Sequence, residues 1–318
     1  MSRVLVLGGT GFVGRHVCEK LTRRGWHSVV PTRREAHARH IQTLPLVDVL
    51  VGDVHDEATL TRLLDGCDAV VNLVAILHGD EASFDRVHRA LPATLVKACA
   101  RAGVKRLVHV SALGVDAQGP SMYQRSKAAG EAVLRASDLE LTVLRPSVIF
   151  GAEDRFLNVF ASLQGLFPLV PLAGADTRFA PVWVEDVAEA VVRCLDRPDT
   201  VGQTFEAFGP QVLSLRELVQ AAGRWAGVAG GRGRPVIGLP LALGRLQARL
   251  MGLMPGEPLM SVDNVDSLQV DNLPTGQFPS LAALGITPAA LDAVAPGYLS
   301  GGGLRQRLLG YRRRAGRL

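Results

Sequence analysis

Cysteine is scarce: the 318 residues carry four, Cys18, Cys67, Cys99 and Cys194, with no close C-x-x-C pair and no Cys/His cluster at zinc spacing. That excludes a disulfide-stapled scaffold and a zinc site. Buried single thiols in a reducing, cytoplasmic setting are expected, with no metal. Aromatic residues make up only 5%, and no basic stripe interleaved with them runs through the body of the chain, which argues against nucleic acid as a partner. No apolar run reaches the roughly eighteen residues that a membrane span requires. Met1 leads directly into an apolar strand, so no signal or transit peptide is expected. Lysine is as scarce as cysteine: of 35 basic residues, only Lys20, Lys97, Lys105 and Lys127 are not arginine.

Glycine, by contrast, is concentrated where it says most. The apolar run Val4 to Leu7 breaks into Gly8-Gly9-Thr10-Gly11-Phe12-Val13-Gly14, and an amphipathic segment follows until Gly25. Strand, glycine turn and helix in that order satisfy the dinucleotide fingerprint, in which bare backbone N–H groups approach a pyrophosphate at the positive end of a helix. The second strand, Ser28 to Thr32, ends in Thr32-Arg33-Arg34. A free ribose 2′-hydroxyl wants an acidic acceptor about twenty residues after the glycines, and none is there. Arg33 and Arg34 instead offer forked donors suited to a 2′-phosphate, so NADP(H) is expected over NAD(H). Further apolar strands over Val49–Val54, Asp68–Val74, Lys105–Ser111 and Leu141 onward alternate with helices such as Ala90–Ala102. The alternation predicts an α/β fold, a Rossmann-type doubly wound parallel sheet with a smaller C-terminal substrate lobe.

After the fifth strand comes Tyr123-Gln-Arg-Ser-Lys127. Tyr and Lys four apart share one helical face, and an ammonium beside a phenol can lower its pKa from about 10. Lysine here, in a chain that otherwise prefers arginine, points to a compact ammonium. The whole pattern resembles the short-chain dehydrogenase/reductase superfamily in its extended and atypical, epimerase/dehydratase-like branches. The resemblance implies Tyr123 as acid/base, Lys127 as its electrostatic partner and a hold on the cofactor ribose, and Ser111 as the donor to the substrate oxygen. It also implies cofactor contacts from Gly8, Thr10, Gly11, Phe12, Val13 and Gly14. Asp53 and Val54 would lie along the adenine, with Asp53 alternatively a helix cap near Glu57. Leu73, Val74 and Ala75 would face the cofactor where the strand order reverses, and Pro146 and Val148 would pack on the nicotinamide. Trp183 reads as core packing, and Asp186 as a cap for the helix that follows it. His88 stands where many extended members carry Asn, and reads as a partly exposed helix residue.

Within that superfamily the chain is similar to the nucleotide-binding accessory subunit of respiratory complex I and its free-standing bacterial relatives. Gly8–Gly14, Ser111-Ala-Leu-Gly114, Tyr123-x-x-Ser-Lys127-Ala-x-Gly-Glu131 and Ser261-Val-Asp-Asn-Val-Asp-Ser-Leu-Gln269 carry the likeness over residues 1–285. Three readings follow. The leading one is a reductase or dehydrogenase of an unknown carbonyl or alcohol; a non-catalytic NADPH-binding accessory or assembly protein of a membrane complex and an epimerase or dehydratase are the alternatives.

Residues 1–150 are expected to form the dinucleotide domain, with 181–200 returning to it, and 151–303 the interleaved lobe. The apolar stretch Val236–Leu259 is expected to be a buried lobe helix, ahead of an interfacial membrane helix. Residues 304–318 form a basic tail in which Arg305, Arg307, Arg312, Arg313, Arg314 and Arg317 account for the net charge of +5. Arg305–Leu318 could dock on anionic lipid at the inner face of a membrane or on an acidic protein, or be simply solvated.

Overall fold

The computed structural model describes residues 2–252 and 260–300. Its centre is a set of short apolar strands: β1 (Arg3–Leu7), β2 (His27–Thr32), β3 (Val47–Val51), β4 (Ala69–Asn72), β5 (Arg106–Val110) and β6 (Glu140–Pro146). The shorter β7 (Ile149–Phe150), β8 (Val170–Ala173), β9 (Arg178–Phe179) and β10 (Val182–Trp183) lie outside this group, and β11 (Thr204–Ala207) rejoins it. Seven strands form one sheet in the order β11-β6-β5-β4-β1-β2-β3, with every pairing parallel. This is the expected doubly wound Rossmann-type sheet.

Alternation along β1 explains why both faces are covered. Val4 and Val6 enter one core with Val17 and Leu21 of α1 (Phe12–Arg23). Leu5 and Leu7 enter the other with Leu60 of α2 (Glu57–Leu63). Strands buried on both sides need helices on both sides, which is what parallel crossovers supply.

Two local expectations shift. β3 ends at Val51, because it pairs from Ser28↔Val47 to Thr32↔Val51 and Gly52 then donates to Thr32 O. Asp53 therefore lies in the following loop and does not cap α2; Asp56 caps it, accepting from Thr59 N at 2.8 Å. The helix expected from Ala90 starts earlier, with α3 (Glu81–Asp85), a π-turn over Arg86–Ala90 and α4 (Leu91–Ala102) in direct succession. α5 (Met122–Arg135) follows β5.

The lobe holds α6 (Leu157–Leu166), α8 (Leu215–Trp225), a parallel pair of β8 with β13 (Val236–Leu239), and an antiparallel pair of β9 with β12 (Leu213–Ser214). α7 (Val184–Asp196) packs back on the sheet beside α1, its Val187 and Val191 in the core with Val4 and Val6. α9 (Leu241–Gly252), α10 (Val262–Ser267) and α11 (Leu291–Leu299) complete the described α-helices. Phe150, Leu157, Leu218 and Leu291 form the lobe core, with Trp183 packed against it.

One expectation fails here. Val236–Leu259 is not a buried helix: its described part is β13 followed by α9, and Leu243, Leu246 and Leu250 of α9 are 51%, 53% and 59% exposed. The cause is a close approach made by small residues. A side chain at Gly244 would lie 2.3 Å from Ala173 Cβ, so α9 meets β8 through Gly244 and Ala248 and leaves its leucines outside. Residues 253–259 and the Arg305–Leu318 tail lie outside the described residues. Among the described residues no helix is long and apolar enough to cross a membrane.

Candidate functional site

Strand order reverses between β1 and β4, so the loops leaving these strands open a crevice at their C-terminal ends. The glycine turn leaves β1 into that crevice. Gly8 has φ +81°, a left-handed conformation, and a Cβ there would meet the Leu73 backbone at 3.2 Å. A Cβ on Gly14 would stand 2.2 Å from Gly8 O and 2.5 Å from Gly9 Cα. Gly11 is the N-cap of α1, and neither a capping side chain nor an acidic residue occupies that first turn. The first-turn amides of Phe12, Val13 and Gly14, together with the positive end of the helix, fit a pyrophosphate. The Phe12 ring turns elsewhere: it lies edge-on to His16 and would be 3.1 Å from a Cβ on Gly151, so it braces the loop after β7.

At the end of β2, Arg33 and Arg34 are both exposed. Nearby, Asp53 accepts from His55 N at 3.0 Å and lies 3.8 Å from Arg86. Burial first, then the Arg86 charge and more weakly Arg33, hold the His55 pKa below its ordinary value. Arg33, Arg34 and Arg86 thus outnumber the carboxylates Asp53 and Glu35 at this corner.

Across the crevice stands α5. Its N-terminus carries a capping box, Ser121 Oγ accepting from Gln124 N while Gln124 Oε1 accepts from Ser121 N. The Met122 and Tyr123 amides donate to the buried Asp263 carboxylate at 2.6 and 3.0 Å. One turn on, Lys127 is 2% exposed and donates from Nζ to Val110 O at 2.9 Å. Burial pulls the Lys127 pKa down to about 8, against a smaller upward pull from Glu131. Burial pushes the Tyr123 phenol up to about 12. The expectation that Lys127 lowers the phenol is not met in this state, because the ammonium is anchored on the β5 carbonyl and desolvation dominates. Ser111, the next residue after β5, is buried; its hydroxyl makes no well-formed hydrogen bond, but it lies close enough to the Glu131 carboxylate to help hold that group's pKa down. Glu131 is in turn gripped by Arg145 through two bonds of 2.9 and 2.7 Å. Leu73, Val74 and Pro146 sit at the ends of β4 and β6, with Ala75 and Val148 in the loops beyond.

His88 corrects an expectation: it is 3% exposed, not a partly exposed helix residue. The π-turn turns it inward, where Nε2 accepts from Ile76 N at 3.1 Å and Nδ1 lies 2.8 Å from Ser126 Oγ. Because the Ser126 hydroxyl itself donates to Tyr123 O at 3.0 Å, the ring must carry its proton on Nδ1. Burial, and then the Lys127 charge, push its pKa down to about 3, so the ring stays neutral. It packs edge-to-face on Tyr123 with centroids 5.5 Å apart. Asp186 is also corrected: it accepts from Ala289 N at 2.8 Å and does not cap α7. The fold further brings His16, Glu19 and Glu185 together, with ligand atoms within 4.8 Å of one another. Lys20, 3.0 Å from Glu185, and Arg15, 2.6 Å from Glu153, make this an ion-pair network.

Sequence reasoning missed a clip formed by the C-terminal segment. Besides Asp263, Asn264 donates to Leu77 O at 2.8 Å, and Asn272 donates to Leu113 O at 3.1 Å while accepting from Ser147 Oγ at 2.7 Å. One stretch of the lobe thus ties the loops after β4, β5 and β6 to the start of α5. Its only local signal is the Ser261–Asn264 capping box.

Sheet, glycine cradle and the helix that carries half-buried Tyr123 and buried Lys127 define a Rossmann-type dinucleotide-binding protein of the short-chain dehydrogenase/reductase kind. The NAD(P)H-binding family model matches residues 8–198. The alpha subcomplex subunit 9 of mitochondrial NADH dehydrogenase (ubiquinone) 1 from Mus musculus is 34% identical over 296 residues, 90% of this chain and 77% of that protein. The chain belongs to this NAD(P)H-binding family, within the group that includes the alpha subcomplex subunit 9 proteins. A ceramide reductase of Caulobacter vibrioides is 31% identical over 190 residues, 59% of each chain. Among solved structures, an NADPH-dependent quinone oxidoreductase of Escherichia coli in complex with NADPH superposes with a TM-score of 0.74 at 21% identity, over 93% of this chain and 99% of that one. That likeness shows the fold.

Proposed function

We propose that the protein is an NADP(H)-dependent reductase or dehydrogenase of a carbonyl or alcohol substrate. The observation that carries this reading is Lys127, an ammonium held at 2% exposure against Val110 O, one helical turn from the half-buried Tyr123 at the mouth of the crevice. Burying such a group is costly, and strongly shifted groups in a cleft mark working sites. When bound, the reduced nicotinamide supplies a hydride to the carbonyl carbon. Tyr123, protonated throughout the neutral range with a pKa of about 12, gives its proton to the carbonyl oxygen as that bond is reduced. The resulting phenolate is reprotonated from solvent, and Lys127, anchored on Val110 O, holds the cofactor ribose; Ser111 holds the same oxygen as Tyr123. The glycine cradle, Arg33 and Arg34 hold the pyrophosphate and 2′-phosphate.

A second reading, in which the same residues hold the nucleotide without turning it over, is supported by the 34% identity to a subunit of NADH dehydrogenase. It predicts bound nucleotide that fails to exchange over hours and no substrate in a carbonyl screen.

Two binding measurements test the cofactor assignment. Titration by protein fluorescence should show NADPH bound tens of times more tightly than NADH, since one or two charge-assisted contacts supply about 2 kcal/mol. Arg33→Ala should remove most of the difference; equal affinities in the unmodified protein would overturn the assignment. The second is pH dependence. Lys127 ionises near 8 in the folded protein, below the ordinary lysine value. If the nucleotide favours the ammonium, affinity is constant below pH 8 and falls by up to about tenfold per unit above it. Lys127→Arg, always charged, should abolish that slope.

A further inference from the structure

α9 is built inside out for a soluble helix. Its inward side is Gly244 and Ala248, while Leu243, Leu246 and Leu250, at i, i+3 and i+7, form its outer face with Arg249 at the edge. α9 covers Ala173, on the outward side of the β8–β13 pair. Pro171 and Ile237, partners across that pair, are exposed beside it, as are Leu166, Phe167 and Leu169 in the chain leading into β8. Scattered apolar residues need no explanation, but a contiguous set on neighbouring elements does. Cations outnumber carboxylates around it: Arg216 pairs with the exposed Asp176 and Arg245 with Asp266, while five arginines in the chain through β13 and α9 face no acidic residue of the same stretch. Residues 156–175 contain no charged side chain, and residues 218–256 contain Arg224, Arg232, Arg234, Arg245 and Arg249 with no Asp or Glu.

We infer that this face docks on an anionic lipid bilayer, the leucines entering the interface and the arginines meeting the headgroups. An apolar face with a net excess of cations at its flanks, Arg249 exposed among them, matches that surface in both chemistry and charge. The link to the site is short: Arg245 pairs with Asp266 of α10 at 2.6 Å, and Asp263 of the same helix holds the Tyr123 amide. A docked α9 therefore places the crevice one helix from the bilayer, within reach of a membrane-resident substrate. The inference does not depend on whether the site turns over.

The test is co-sedimentation of the full chain with vesicles of phosphatidylglycerol and phosphatidylcholine in equal parts, against vesicles of phosphatidylcholine alone. The full chain should pellet with the mixed vesicles and bind at least about tenfold more weakly to the neutral ones. The double variant Leu246→Asp/Leu250→Asp should lose binding by at least about tenfold. Both residues are exposed, so its melting temperature and NADPH affinity should be unchanged; if it does not fold, Arg249→Glu replaces it, with the same loss expected. Three results would overturn the inference: the full chain stays in the supernatant; the folded variant pellets like the parent; or ending the chain at Gly303 alone abolishes binding, which would assign it to the tail. Sedimentation velocity covers the remaining occupant. A concentration-dependent dimer that the variant dissolves, with no vesicle binding, would mean that a second copy covers the face.

Discussion

Replacing Tyr123 by Phe should leave NADPH binding within about twofold of the parent and cut turnover by roughly 10²–10⁴-fold, the usual contribution of a positioned proton donor. That corresponds to about 3–5 kcal/mol of barrier. The ring is retained, so its packing against His88 and Phe84 survives and only the hydroxyl is lost. Steady-state kinetics on any substrate recovered from a carbonyl screen give the answer. Full activity in the variant would remove Tyr123 from the chemistry. No substrate at all, together with non-exchanging nucleotide, would favour the accessory reading.

Gly14→Ala should abolish useful nucleotide affinity. The new methyl would lie 2.2 Å from Gly8 O and 2.7 Å from Gly9 C, both backbone, so no flexible side chain can give way. Overpacking of this kind costs about 1–3 kcal/mol, and 3 kcal/mol is roughly 150-fold in a binding constant. The displaced atoms are those that cradle the phosphates, so the cost falls on NADPH binding as well as on the fold. Gly165→Ala is the matched control: it sits in α6 with nothing within 4 Å of the new Cβ. It should leave binding alone and stabilise slightly, by up to about 1 kcal/mol. Calorimetric titration and thermal melts of both variants check the pair. Normal NADPH binding by Gly14→Ala would refute the cradle.

Both predictions rest on residues that were legible before any fold was known. Glycines 8, 11 and 14 announce themselves because a phosphate turn needs bare backbone, and Tyr123 and Lys127 because the helical period puts them on one face. The strand run was legible for the same reason, buried parallel strands being mostly apolar along their length. His88 was misread because its inward turn comes from a π-turn, which leaves no trace in residue spacing. α9 was misread because length and hydropathy describe a helix without saying which side finds a partner, and here glycine and alanine made the contact.

The sequence by itself determined the sheet, the nucleotide cradle and the Tyr–Lys pair, since each follows from local period or from the conformational freedom of glycine. Only the tertiary structure decided what holds and tunes them. Asp263 on the Tyr123 amide, Asn272 on Leu113 O and Arg145 on Glu131 join residues 14 to 159 positions apart. Such pairs are set by chain crossings rather than by spacing, and the pKa of Lys127 is set by the water those crossings exclude.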